Sequence, residues 1–225
     1  SISESEWLKP MREVSVAFPC GRLVLDGVLS LPDLKPATSL PAVVICHSHP
    51  SFQGDMDHIL IREIASSLVD RRIASLRFNF RGLGRSEGEF TNGKREGEDV
   101  EAALSLLSKW PGLNSRQLGV VGHSLGAAVL LRHHGNIRAA RSMVYVSPPP
   151  NAVEVRDIAA DARQRLFLVG DRDRIAPAHQ LQMLVSNMAS EAVHISIIPG
   201  FDHQWAGGET LLGRRVADFF AANLA

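Results

Sequence analysis

From Pro41 onward, short continuous apolar runs alternate with stretches whose apolar residues recur at helical spacing. The runs Pro41 to Cys46, Ala74 to Phe80, Gln117 to Val121, Ser142 to Val146, Arg165 to Val169 and Val193 to Ile198 read as strands. Asp57 to Arg72, Glu96 to Trp110, Ser124 to His134, Pro177 to Met188 and Glu209 to Asn223 read as helices. Ile61, Ile64, Ala65 and Leu68 mark the inner face of the first, and Pro111-Gly112 and Gly135 mark helix ends. A strand that is apolar on both faces must be covered on both, and strand–helix alternation supplies that cover as a parallel sheet between two helical layers. Two earlier runs, Val14 to Phe18 and Leu23 to Leu29, alternate in polarity and are joined through Pro19 and Gly21. They read as an antiparallel pair at a sheet edge. The expected architecture is a mostly parallel, doubly wound α/β sheet of eight strands flanked by helices, in a single domain over residues 1–225.

Size and charge narrow the function. A chain of 225 residues suits one full core, and it carries no internal repeat, low-complexity tract or linker. Lysine plus arginine equals aspartate plus glutamate at 24 each, so no net field holds it on nucleic acid or on an anionic membrane. No apolar run approaches the roughly 18 residues of a membrane helix. The polar start, Ser1 to Pro10, has neither a basic n-region nor an apolar h-region. Cys20 and Cys46 form neither a disulfide framework nor a zinc spacing; as reduced thiols they suit the cytoplasm. The expected partner is a small molecule, and the oligomeric state stays open.

In a parallel sheet, working loops gather at the carboxyl ends of the strands. Here those ends carry His47-Ser48-His49, Arg81-Gly82, Ser124, Ser147-Pro148, Asp171 to Asp173 and Phe201 to His203. Gly122-His123-Ser124-Leu125-Gly126 is a G-x-S-x-G segment between a strand and an Ala/Leu-rich helix. Such a serine sits on a sharp, strained turn that lifts its hydroxyl off the sheet, with small neighbours to avoid a clash. A second match, Gly84-Arg85-Ser86-Glu87-Gly88, begins several residues past its strand and leads into a polar, glycine-containing stretch. Ser86 therefore reads as a loop residue that bonds locally, and Ser124 as the nucleophile.

After such an elbow the acid precedes the histidine in the chain. His133 and His134 fall at a helix end, His179 and His194 inside elements, and His123 in the elbow itself. His203, in the turn after the last strand, is the expected general base. Gly170-Asp171-Arg172-Asp173 follows the seventh strand; Asp173, further out, is the expected acid, with Asp171 the alternative and otherwise a turn-binding residue. His47, His49, Asp55, Asp57 and His58 cluster, but Ser51 and Phe52 stand where the H-x-H-x-D-H metal pattern needs Asp and His. No metal and no cofactor is expected, Asp57 reads as a helix cap, and Cys46 as an apolar filler.

In order and setting, GHSLG, GDRD before Ile175-Ala176-Pro177, and FDHQW resemble the α/β-hydrolase superfamily over nearly the whole chain. His47-Ser48-His49-Pro50 with Gly54-Asp55-Met56-Asp57, and Phe80 to Gly88, resemble small capless bacterial hydrolases related to the dienelactone-hydrolase and serine-aminopeptidase-like groups. That branch usually reads H-P-H-P followed by a double glycine, so Ser48 and Asp55 depart from it at the rim of the acyl pocket. Dienelactone hydrolases proper carry cysteine at the elbow, where this chain has Ser124. The resemblance implies oxyanion donors at the backbone N–H of Leu125 and of a residue in the loop after the third strand. There His49 fits, because Pro50 has no N–H. The span from Ser147 to Arg165 has room for one short helix and no cap domain, which implies a shallow, exposed site. Phe52, Pro148, Ile175 and Trp205 are candidates to line it, each with core packing as the alternative. The implied activity is a serine hydrolase of the carboxylesterase kind acting on small esters. An amidase or peptidase, a thioesterase, an acyltransferase and a non-catalytic binding protein are the alternatives.

Overall fold

The computed structural model describes residues 11–33, 39–153 and 158–224; the Ser1 to Pro10 segment lies outside them. Strands β1 (Met11–Cys20), β2 (Leu23–Pro32), β3 (Leu40–Cys46), β4 (Ala74–Phe78), β5 (Leu113–His123), β6 (Ser142–Val146), β7 (Gln164–Gly170) and β8 (Val193–Ile198) form one sheet. Its order is β1-β2-β4-β3-β5-β6-β7-β8. β1 pairs antiparallel with β2, and β2 with β4; every other pairing is parallel. The helices are α1 (Ile59–Asp70), α2 (Glu96–Lys109), α3 (Leu125–Arg132), α4 (Ala178–Ser186) and α5 (Glu209–Asn223).

The two-sided cover inferred from the apolar runs is present. Ala42 to Cys46 and all of β4 and β6 are buried. α1 and α5 close one face through Leu60, Ile61, Ile64, Leu68, Leu212, Val216 and Phe220. α2, α3 and α4 close the other through Val100, Leu104, Leu107, Val129, Leu130 and Leu181. The edge strand β1 is largely exposed, as its polarity pattern requires. No helix among the described residues is long and apolar enough to cross a membrane.

The chain winds outward from β3 in both directions. β3 leads to β4 on one side, and β5 lies on the other. The loops leaving β3 and β5 therefore diverge at a topological switch point, where the carboxyl ends of neighbouring strands leave a crevice. His47-Ser48-His49 and Ser124 stand at that point. Between β6 and β7 the described residues include a 3-10 turn, Pro150–Ala152, and no cap; residues 154–157 lie outside the described set.

Polar residues buried in the frame fix its loops and explain one departure from the sequence reading. Arg77, mid-strand in β4, is buried and donates to the Met56 carbonyl and to Asp57 Oδ1, at 3.3 and 2.5 Å. Asp57 is thereby committed to an ion pair and does not cap α1. The helix starts two residues later, and His58 Nδ1 accepts from the Leu60 N–H at 3.3 Å instead. Arg81, just past β4, is 2 % exposed. Its guanidinium clasps Asp99 on α2 at 2.6 and 2.9 Å, and Asp99 also accepts the Arg81 N–H. A buried pair of this kind has its remaining lone pairs satisfied and fixes the Phe80 to Gly88 loop to the helix.

Candidate active site

The elbow is built as the sequence requires. Ser124, between β5 and α3, has φ 53° and ψ −108°, a region that ordinary side chains rarely occupy and that stores strain. A β-carbon on Gly122 would lie 2.4 Å from Gly126 C, and one on Gly126 would lie 2.4 Å from the Cys46 carbonyl oxygen. Only glycine allows the turn to close on itself and the start of α3 to press against the end of β3. The Ser124 N–H is held by the Val146 carbonyl at 2.9 Å, so the elbow is tied to β6.

Ser124 Oγ lies 2.8 Å from His203 Nε2. His203 Nδ1 lies 3.0 and 2.9 Å from Asp173 Oδ1 and Oδ2. Residues 79 and 30 positions apart are thus brought into one hydrogen-bonded line. Asp173 also accepts the N–H groups of Ile175 at 2.9 Å and Ala176 at 2.7 Å. Burial works to raise its carboxyl, but the donors from His203, Ala176 and Ser147 outweigh it and hold Asp173 below the ordinary range. It stays ionised and fixes the proton on His203 Nδ1, leaving Nε2 free to accept from the serine.

Asp171, the alternative acid, is exposed and accepts the Gly200 N–H at 2.7 Å. Its turn-binding role is real, though the turn it ties down is that of the histidine loop rather than its own. The Arg172 N–H adds a bond to the Phe201 carbonyl at 3.0 Å, so the acid loop and the histidine loop are knitted together. Ser86, the second G-x-S-x-G serine, is buried, donates to the Asn79 carbonyl at 2.6 Å and accepts the Asp26 N–H at 3.0 Å. It holds its loop and faces no base.

His47 closes the β3 end. Its Nδ1 donates to the Ser48 carbonyl at 2.7 Å and its Nε2 accepts the Phe80 N–H at 3.2 Å. The adjoining N–H of His49 and that of Leu125 donate no hydrogen bond among the described residues; both stand at the switch point beside Ser124. The clustered histidines and aspartates are otherwise engaged: His49 Nδ1 bonds Ser51 and Asp57 pairs with Arg77. Among the described residues no three His, Cys, Asp or Glu side chains come together as a metal site. Burial pushes the Cys46 thiol up, as befits a filler.

A cleft of about 810 Å³ opens beside His203, lined by Phe52, Ile175, Arg172, Arg174, Asp202 and Gln204 among others. Phe52 is 39 % and Ile175 45 % exposed, and the Phe52 ring stands 5.9 Å from the His203 ring. Both border the cleft. Pro148 is buried and does not border this cleft. Trp205 corrects the expectation outright: it is 0 % exposed, stacked on Phe201 at 5.6 Å, and belongs to the core under α1 and α5. Its position two residues after His203 turns the indole down into the sheet face rather than up into the cleft.

Sequence reasoning passed over His123 as a mere elbow residue. Its Nε2 donates to the His203 carbonyl at 2.9 Å, pinning the loop that carries His203. No local signal marks this, because the contact spans 80 positions. Burial and the neighbouring His203 push its pKa down to about 3, and burial pushes His47 down to about 4. Both rings are neutral in the folded protein, whereas in the unfolded chain they protonate near 6.5. The unfolded state therefore binds more protons below pH 6.5, and stability present above that pH is lost as pH falls. Between pH 6.5 and 4.5 each ring is expected to remove about 2–3 kcal/mol, above the range where most carboxylates titrate. Guanidinium unfolding at pH 7.5 and 4.5 measures this; coincident midpoints would refute it.

An eight-stranded sheet of this order, with a serine on the β5–α3 turn and a histidine after β8, is the arrangement of the α/β hydrolases. Residues 40–223 match the model of the Alpha/beta hydrolase family, and the chain belongs to that family. An uncharacterized protein of Rickettsia prowazekii is 31 % identical over 170 residues, which is 72 % of this chain and 71 % of that protein. A thiohydrolase of Arthrinium phaeospermum is 28 % identical over 158 residues, 68 % of this chain and 50 % of its own length. A serine hydrolase without lid from Xanthomonas campestris has a similar structure, with TM-score 0.79, 23 % identity, and 94 % of each chain covered.

Proposed function

We propose that this protein is a serine hydrolase that cleaves small carboxylic esters through an acyl-enzyme on Ser124. The observation that carries the reading is the line Ser124–His203–Asp173, with 2.8 Å from Oγ to Nε2 and 2.9 Å from Nδ1 to the carboxylate. In the proposed cycle Ser124 Oγ attacks the carbonyl carbon while its proton passes to His203 Nε2. The N–H groups of Leu125 and His49 receive the oxyanion, each at about 3 kcal/mol of transition-state stabilisation. His203 then hands the proton to the leaving alcohol, and water repeats the sequence on the acyl-enzyme. Phe52 and Ile175 give the open cleft its apolar wall, which supports small or soluble acyl groups over long lipid chains. Thioesters form the second reading, favoured by the 28 % identical thiohydrolase. Two buried free cysteines support a reducing, cytoplasmic setting.

A fluorophosphonate adduct mapped to Ser124 is the expected result of active-site labelling, and an unlabelled Ser124 in folded protein defeats the reading. Ester, thioester and anilide substrates of matched acyl group, run under identical conditions, then divide the two readings. Esters are expected to give the highest kcat/KM; a higher value for thioesters moves the assignment to the second.

A further inference from the structure

In the turn after β3, the carbonyls on either side of the His49 N–H are both engaged. The Ser48 carbonyl accepts His47 Nδ1–H at 2.7 Å. The His49 carbonyl accepts the N–H groups of Phe52 at 2.9 Å and Gly54 at 3.2 Å. The His49 N–H between them donates to nothing among the described residues. That N–H and the Ser48 carbonyl belong to one peptide unit, which is trans. A trans peptide is planar, with its C=O and N–H pointing opposite ways. Whatever holds the Ser48 oxygen therefore aims the His49 hydrogen.

Two residues confine that oxygen. The buried His47 ring has both nitrogens taken, Nδ1 by the Ser48 carbonyl and Nε2 by the Phe80 N–H at 3.2 Å. A carbonyl only accepts and an amide N–H only donates, so these partners fix one neutral tautomer of the ring. The Phe80 ring meets the imidazole edge-on, with 4.8 Å between centroids. Gly54 presses on the same peptide: a β-carbon there would lie 2.1 Å from the Ser48 carbonyl oxygen and 2.4 Å from its carbon. The far end of the turn hangs from the same stretch past β4, because the Met56 N–H donates to Asn79 Oδ1 at 3.0 Å. On the elbow side, a β-carbon on Gly126 would lie 2.8 Å from the His47 carbonyl oxygen. The peptide is thus held between the end of β4 and the start of α3.

We infer that His47 and Gly54 are positioning residues for the oxyanion site, setting the Ser48–His49 peptide so that its N–H faces Ser124. This rests on the acyl-enzyme cycle proposed above, in which His49 supplies one of the two N–H donors. Neither residue touches the reacting atoms. Without the His47 donor, the Ser48 carbonyl becomes a buried acceptor with no partner, which is costly. The peptide relieves that cost by turning. Once turned, it offers the oxyanion a carbonyl oxygen in place of a hydrogen, and attraction becomes repulsion. The bound ester carries no such charge before attack, so the loss falls on kcat and spares KM.

His47→Asn and His47→Gln separate this role from packing. An asparagine amide sits at the level of Nδ1 and still donates to the Ser48 carbonyl. A glutamine amide sits at the level of Nε2, where it still accepts the Phe80 N–H but leaves the Ser48 oxygen unheld. Both variants lose the ring and one buried hydrogen bond, so both are expected to unfold at lower temperature than the parent. With p-nitrophenyl acetate, His47→Gln is expected to lower kcat about 10²-fold with KM within about twofold, the signature of one lost oxyanion donor. His47→Asn is expected to stay within about fivefold of the parental kcat. Affinity for a trifluoromethyl ketone, which forms an oxyanion on the serine, is expected to fall in step with kcat. Gly54→Ala leaves the ring alone and displaces the peptide, so it is expected to repeat the kcat loss of His47→Gln. Equal losses in His47→Asn and His47→Gln, or a folded Gly54→Ala with parental kcat, overturn the inference and leave the triad standing. A parent that neither hydrolyses the ester nor takes a fluorophosphonate at Ser124 overturns the proposed function, and the inference with it.

Discussion

Ser124→Ala is expected to lower ester turnover by about 10⁴-fold or more, with the fold intact. The size of the effect follows from what is lost. In the proposed cycle the oxygen 2.8 Å from His203 is the atom that forms the acyl bond, so the variant would retain only binding and the two N–H donors. Alanine keeps the β-carbon and its strain at φ 53°, so unfolding temperature should barely change. Ser124→Gly gives a sharper pairing. It is equally inactive, but glycine adopts this backbone without penalty, and the variant is expected to be more stable than the parent by about 1 kcal/mol. Ser86→Ala is the control from the other G-x-S-x-G segment. It loses two buried hydrogen bonds and some stability, and keeps turnover. Persistent p-nitrophenyl acetate hydrolysis by Ser124→Ala would sink the assignment.

The contrast between the two serines shows what the sequence carries. Both lie in the same five-residue pattern, yet one is followed by an apolar helix and the other by a polar loop, and context separated them. The same logic located β6 and β8 to the residue and α5 over Glu209–Asn223, because the apolar residues of each segment fit one period. Charged residues inside elements were less legible. Nothing in the pattern around Arg77 says that it draws Asp57 away from the α1 cap. Trp205 was misplaced for a related reason: its burial depends on a left-handed turn and on Ser147, 58 positions away. Local spacing cannot see a partner on another strand. His123 is illegible on the same ground, since an elbow residue gives no sign that its ring reaches the carbonyl of His203.

The second large effect is expected at Asp173. Asp173→Asn conserves shape, and its consequence can be worked out from who donates to which oxygen. Oδ1 accepts the N–H groups of Ile175 and Ala176 at 2.9 and 2.7 Å, so the carbonyl oxygen of an asparagine must stay there; an amide N–H₂ in that place would face two donors. The amide nitrogen then takes the Oδ2 position, 2.9 Å from His203 Nδ1, and presents a proton where His203 now presents its own. The imidazole relieves the conflict by moving its proton to Nε2. That nitrogen faces Ser124 Oγ, and once protonated it cannot accept the serine proton. Loss of the correct tautomer in such a site lowers kcat by about 10⁴-fold, so an almost isosteric change approaches removal of the nucleophile. Asp171→Asn makes the comparison decisive. Its oxygen can still accept the Gly200 N–H at 2.7 Å, and it is expected to keep most activity. The measurement is kcat for both variants beside their unfolding temperatures. Near-parental turnover in Asp173→Asn, or a collapse in Asp171→Asn with the fold intact, would transfer the role of the acid to Asp171.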